Sequence, residues 1–116
     1  MAKRSSTQPA QILSRIQQED FSPVYFFHGP EDLEKEELLK TLIDVAVEPV
    51  SRAFNLDLLQ AEDLDIADAI NRASTFPMMA PRRMVVIKRV ERLPEPAAGE
   101  LLPFIQAPPE TTVLVL

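Results

Sequence analysis

Val24-Tyr25-Phe26-Phe27-His28-Gly29-Pro30-Glu31-Asp32-Leu33-Glu34-Lys35-Glu36 places an apolar run, a glycine-proline turn and an acidic helix start in immediate succession. The run Val24–His28 is apolar on both faces, the pattern of a strand covered by helices on each side. A strand that passes through a glycine turn directly into a helix is the opening of an α/β unit, and it is also where a phosphate-binding loop would sit. Such a loop needs Gly, four residues, then Gly-Lys-Ser/Thr, so that backbone N–H groups close on phosphate oxygens, the lysine reaches them and the hydroxyl holds Mg²⁺. Gly29 and Lys35 keep that spacing, while Glu34 replaces the second glycine and Glu36 replaces the hydroxyl. Glu31 and Asp32 add negative charge to the same turn. Carboxylates a few ångströms from a triphosphate cost several kcal/mol at an effective dielectric of ~20, so no nucleotide is expected to bind here. The plainer alternative is that Gly29-Pro30 is only a turn, with Glu31 and Asp32 complementing the helix dipole.

Outward from this stretch, strand and helix patterns alternate. Pro9 opens a short amphipathic helix carrying Ile12, Leu13 and Ile16 and ending near Asp20. Leu38, Leu39, Leu42, Ile43 and Ala46 recur at helical spacing until Pro49. Ala53–Leu58 alternates as a second, shorter strand nearer an edge, and Asp65 caps a helix carrying Ile66, Ala69, Ile70 and Ala73. Met84–Ile87 is a continuous apolar strand. Residues 95–106 show helical spacing that Pro103 is expected to kink or end early, and Val113–Leu116 is a fourth strand. The expected architecture is therefore α/β: a parallel sheet wound by right-handed crossovers, with helices on both faces. Residues 1–9 form a polar arm and residues 10–116 the domain. A strand that stays apolar to Leu116 suggests a piece of a longer protein.

Composition narrows the functional classes. The 116 residues can bury roughly two-thirds of their unfolded surface. A net charge of −6, from 18 acidic and 12 basic residues, argues against autonomous binding to nucleic acid, which requires clustered Lys and Arg. Any role on DNA would be indirect. The absence of cysteine, with His28 as the single histidine, leaves no thiolate chemistry and no Cys/His metal set; no metal and no cofactor are expected. No apolar run has transmembrane length and the N-terminus lacks a leader pattern, so a soluble, cytoplasmic protein without membrane contact is expected. Eleven prolines against two glycines point to stiff loops.

Two further segments bear on function. A P-loop enzyme places an acidic residue after an apolar strand to help hold Mg²⁺, but Met84–Ile87 is followed by Lys88-Arg89-Val90-Glu91. A cation cannot ligate a cation, so the metal position is lost together with the phosphate loop. Between the capped helix and that strand lies Ser74-Thr75-Phe76-Pro77-Met78-Met79-Ala80-Pro81-Arg82-Arg83. Its prolines can continue neither a helix nor a central ladder, and Phe76, Met78 and Met79 suit an adaptable apolar contact. Burying three such side chains is worth on the order of 5–8 kcal/mol gross. The alternative is that Phe76 and one Met fold back as plugs on the core, and that Arg82 and Arg83 are a solvated strand entrance rather than a rim.

The blocks Val24–Glu31, Phe54-Asn55-Leu56-Asp57, Phe76–Ile87 and Pro108–Leu116, in this order and at these gaps, resemble the N-terminal domain of the delta subunit of the bacterial DNA polymerase III clamp loader. The resemblance runs from about Ile12 to the end of the sequence. It implies an AAA+ (P-loop NTPase-like) α/β domain of three layers, here stopping before its last strand, with no working nucleotide site and no catalytic residues. It also implies a partner, the sliding clamp (beta subunit), which this domain would bind and open, and other clamp-loader subunits contacted through regions beyond this sequence. The family's clamp-binding element is an apolar pair with a further apolar residue just before it; position by position these are Met78 and Met79, with Phe76 preceding and Arg82 on the rim. The departure is that both members of the pair are Met where a large Leu or Phe is common. Two rivals remain: a divergent P-loop NTPase using Lys35, and a receiver-like module with Asp57 as phosphoacceptor.

Overall fold

The computed structural model describes residues 9–27 and 32–116. Helix α1 (Pro9–Gln17) leads to strand β1 (Val24–Tyr25), followed by helix α2 (Asp32–Ala46), a short helix α3 (Arg52–Asn55) and strand β2 (Leu56–Gln60). Helix α4 (Ile66–Ser74), strand β3 (Arg83–Lys88), helix α5 (Glu95–Gln106) and strand β4 (Thr112–Val115) complete the order. The four strands form one sheet in the order β1-β4-β3-β2, and every pairing is parallel.

Side-chain alternation along β3 and β4 divides the core into two halves. Met84, Val86, Val113 and Val115 face α1 and α2, where Ile16, Leu39, Leu42 and Val47 are buried. Val85, Ile87 and Leu114 face α4 and α5, where Ile66, Ala69, Ala73, Leu101 and Phe104 are buried. Helices on both faces of a parallel sheet make this a three-layer α/β fold, and the central strands are apolar over Met84–Ile87 and Val113–Val115 because neither face meets water there.

Three expectations need correction. The first strand is shorter than Val24–His28, although bonds from Leu114 N–H to the Pro23 carbonyl and from Phe27 N–H to the Leu116 carbonyl carry the ladder beyond its two assigned residues. Phe26 is exposed rather than covered, as befits a strand at the sheet's margin, and His28 lies outside the described residues. The second strand starts at Leu56 rather than Ala53, because residues 52–55 make a helical turn; it does occupy an edge. Finally, α5 does not end at Pro103 but continues to Gln106. Interior proline costs about 3 kcal/mol, but Leu101 and Phe104 on either side are both buried, and fully burying each is worth about 1.5–3 kcal/mol.

The Asp65 cap forms as read from the sequence. Its Oδ1 accepts the Ala67 N–H at 3.0 Å and lies 3.5 Å from the Asp68 nitrogen, satisfying donors that the first helical turn leaves open. Asp65→Ala is expected to cost about 1 kcal/mol, near 4 °C in melting temperature for a domain of this size, measurable by thermal denaturation.

Candidate functional site

The segment between α4 and β3 is built from the inside outward. Asn55, the last residue of α3, is fully buried (0% exposed). Its Nδ2 donates to the Met78 carbonyl at 2.8 Å and its Oδ1 accepts the Met78 N–H at 2.7 Å. A buried carboxamide must find both a donor and an acceptor, and this one takes them from a single residue 23 positions away. With the Met78 backbone held from beneath, its side chain is left 54% exposed, that of Phe76 80% and that of Met79 98%. Met79 also adopts a positive φ of 55°, uncommon for a residue with a Cβ. Pro77 and Pro81 fix φ on either side of the pair. Neither Met nor Phe76 folds back to plug the core.

The roots of the segment are tied to neighbouring elements. Thr75 Oγ1 donates to the Asn71 carbonyl at 2.7 Å, closing the end of α4, and buried Thr112 donates to the Ala73 carbonyl at 2.6 Å. Arg83, 9% exposed, donates to the Phe54 carbonyl at 2.8 Å and to Asp57 at 3.1 Å. Asp57 also receives Arg72 at 2.7 Å, and Arg72 bonds Asp68 at 2.9 Å. These two carboxylates, Asp68 first, hold the Arg72 guanidinium above its ordinary range. Asp57 thus lies between two guanidiniums that join β2, α4 and β3. A phosphoacceptor carboxylate would instead need neighbouring acids to hold a metal. Arg82 is half-buried and turned toward the α2 side of the sheet: its guanidinium stacks 4.4 Å from the Phe21 ring centroid and donates to the Ala46 carbonyl at 3.3 Å. It braces the base of the segment, and Phe76 and the two methionines are not among these partners.

The second candidate region lies where nucleotide chemistry would be. Gly29 lies outside the described residues together with His28, Pro30 and Glu31. Glu34, Lys35 and Glu36 fall in the first turns of α2, with both glutamates exposed and Lys35 half-buried. Lys88, at the end of β3, places its Nζ 3.7 Å from Glu36 Oε1. The residue in the hydroxyl position and the residue in the metal-ligand position are therefore within ion-pair distance of each other. At partly exposed positions such a pair contributes at most about 1 kcal/mol. Its chemical consequence is larger, because β3 ends on an ammonium where the P-loop pattern calls for an oxygen ligand to a divalent cation. No group of three or more His, Cys, Asp or Glu suited to a metal occurs among the described residues, and no helix among them is long and apolar enough to cross a membrane.

Asn55 is the component that the sequence reading missed. The alternation of Ala53–Leu58 mimics a strand, and the signal that could have exposed it was a short amide side chain interrupting an apolar stretch.

Comparison with known proteins bears on the whole arrangement. Residues 25–116 match the family model described as "DNA polymerase III, delta subunit". The chain is 29% identical over 114 residues to the DNA polymerase III subunit delta of Bacillus subtilis, covering 90% of this chain and 33% of that protein. Among solved structures it superposes on a Bacillus subtilis DNA clamp loader delta protein with a TM-score of 0.85 and 26% identity, over 94% of this chain and 34% of that one. The chain therefore spans about a third of the length of the relatives it matches.

Proposed function

Because the chain belongs to the family of the delta subunit of DNA polymerase III, we propose that it is the clamp-binding, clamp-opening part of a clamp loader and that Phe76, Met78 and Met79 make the contact. The observation that carries this reading is the exposure of three large apolar side chains on a backbone pinned by Asn55. A flexible loop would lose much of its burial energy to ordering, whereas a pinned one keeps it. Met78 and Met79 would enter an apolar pocket on the sliding clamp, with Phe76 beside them; the thioether side chains adapt to an irregular pocket. Arg82 contributes from behind by holding the base of the segment against Phe21 and the end of α2.

Opening follows from differential affinity. A domain that binds the open or sprung ring better than the closed ring shifts that equilibrium by the difference alone, so this domain needs no bond-breaking chemistry and is a non-catalytic part of its assembly. Control by nucleotide would reside in ATP-hydrolysing partner subunits that expose or cover this surface, and contact with DNA would be indirect. The acidic balance of the chain agrees with a protein partner rather than a phosphate backbone.

Titration calorimetry of the chain against its cognate sliding clamp tests the reading: saturable binding upholds it, and a folded chain that releases no heat and shifts no sedimentation boundary overturns it. The nucleotide alternative has its own test. Mg·ATP is expected to leave the melting temperature unchanged, since Glu34 and Glu36 occupy the second-glycine and hydroxyl positions of the loop pattern and Lys88 the position of the metal-binding acid. A rise that depends on both Mg²⁺ and ATP, following the ligand-linkage relation, would restore the NTPase reading.

A further inference from the structure

We infer that Asn55 is the positioning residue of the Met78–Met79 element, holding it in the conformation that engages a protein pocket so that the contact forms without a prior ordering step. The inference rests on the proposed function for the identity of the partner, and on geometry for the rest. Asn55 is 0% exposed and directs both of its polar atoms to one residue, the Met78 N–H at 2.7 Å and the Met78 carbonyl at 2.8 Å. A residue that served only to fill space would not need an amide, and an apolar residue there would leave both Met78 backbone groups without these partners. The next residue, Met79, is held at φ 55° with its side chain 98% exposed. A conformation disfavoured for a side chain in water persists where its surroundings over-determine it, and the paired bonds one residue earlier supply that constraint. The carboxamide is in turn set by its own element: α3 is fastened through Arg83 to the Phe54 carbonyl at 2.8 Å and through Arg52 Nε to the Val47 carbonyl at 3.0 Å. A chain of part-buried hydrogen bonds thus runs from Val47, just after α2, through α3 to the exposed methionines.

If the two bonds are lost, the segment samples other conformations and the competent fraction falls; apparent affinity falls by that fraction, and the loss appears in association rather than dissociation. Two measurements on the chain separate this from a stability effect. In Asn55→Ala, amide hydrogen exchange at Met78 is expected to accelerate at least tenfold while the β3 amides of Val85 and Val86 keep their protection relative to global stability. Association with the cognate clamp is expected to slow by about tenfold with the dissociation rate within twofold of wild type. Asn55→Leu serves as a second variant should the alanine leave too large a void: it keeps most of the volume but can bond neither the Met78 N–H nor its carbonyl, and the same slow association is expected. Val113→Ala, which thins the core facing α1 and α2, supplies a control that lowers the melting temperature and leaves association unchanged. Unchanged Met78 exchange in Asn55→Ala, or an association rate in Asn55→Leu equal to wild type, overturns the inference. A wild-type chain that does not bind the clamp removes the proposed function, and the exchange comparison then decides by itself whether Asn55 orders the element.

Discussion

Met78→Ser/Met79→Ser is expected to abolish measurable binding to a sliding clamp while leaving the domain folded. The two side chains are 54% and 98% exposed in the isolated chain, so their removal takes little from the core. Burial of each in a partner pocket is worth about 1.5–3 kcal/mol, and losing both weakens binding by roughly two to four orders of magnitude at 1.4 kcal/mol per factor of ten. For a contact of micromolar strength that places the variant beyond ordinary titration. Circular dichroism and thermal melting should match wild type, because the two hydrogen bonds to Asn55 use the Met78 backbone and survive the exchange of side chains. Retained affinity in the double variant would move the contact elsewhere on the surface.

The largest loss of stability is expected from Asp57→Ala. Asp57 receives Arg83 at 3.1 Å and Arg72 at 2.7 Å. The Arg83 side chain is 10% exposed and its Nε already lacks a hydrogen-bond partner. Removing one partner of a buried ion pair costs about 3–5 kcal/mol, because the remaining charge is left uncompensated; with Asp57 partly open to water the lower end applies. About 3 kcal/mol corresponds to a drop near 12 °C for a domain of this length. Since Arg83 also holds the Phe54 carbonyl, the end of α3 loosens with it, and clamp association should slow in parallel. Differential scanning calorimetry reads the first effect, and hydrogen exchange at α3 with the association rate to the clamp reads the second; a melting temperature within 3 °C of wild type would show that Asp57 carries no such weight.

Much of this molecule was legible in its order of residues. Apolar runs at Met84–Ile87 and Val113–Leu116, helical spacing at Ile66, Ala69, Ile70 and Ala73, and the Asp65 cap each act locally. The resulting α/β alternation leads to a parallel sheet covered on both faces, with family membership supported by the same blocks. The crowding of Phe76, Met78 and Met79 between prolines was equally visible. What one dimension could not determine was where opposing local preferences would end. Pro103 opposes its helix, yet burial of Leu101 and Phe104 against the sheet outweighs the missing hydrogen bond. Ala53-Phe54-Asn55 alternates like a strand, yet it turns as a helix because Asn55 and Arg83 bind backbone groups far along the chain. The stacking of Arg82 on Phe21 was likewise not visible in the order of residues. Local periodicity therefore determined the elements and their layers, whereas the exposure of the methionines was decided by tertiary structure. It depends on one buried amide 23 residues away, whose partners only folding brings within hydrogen-bond distance.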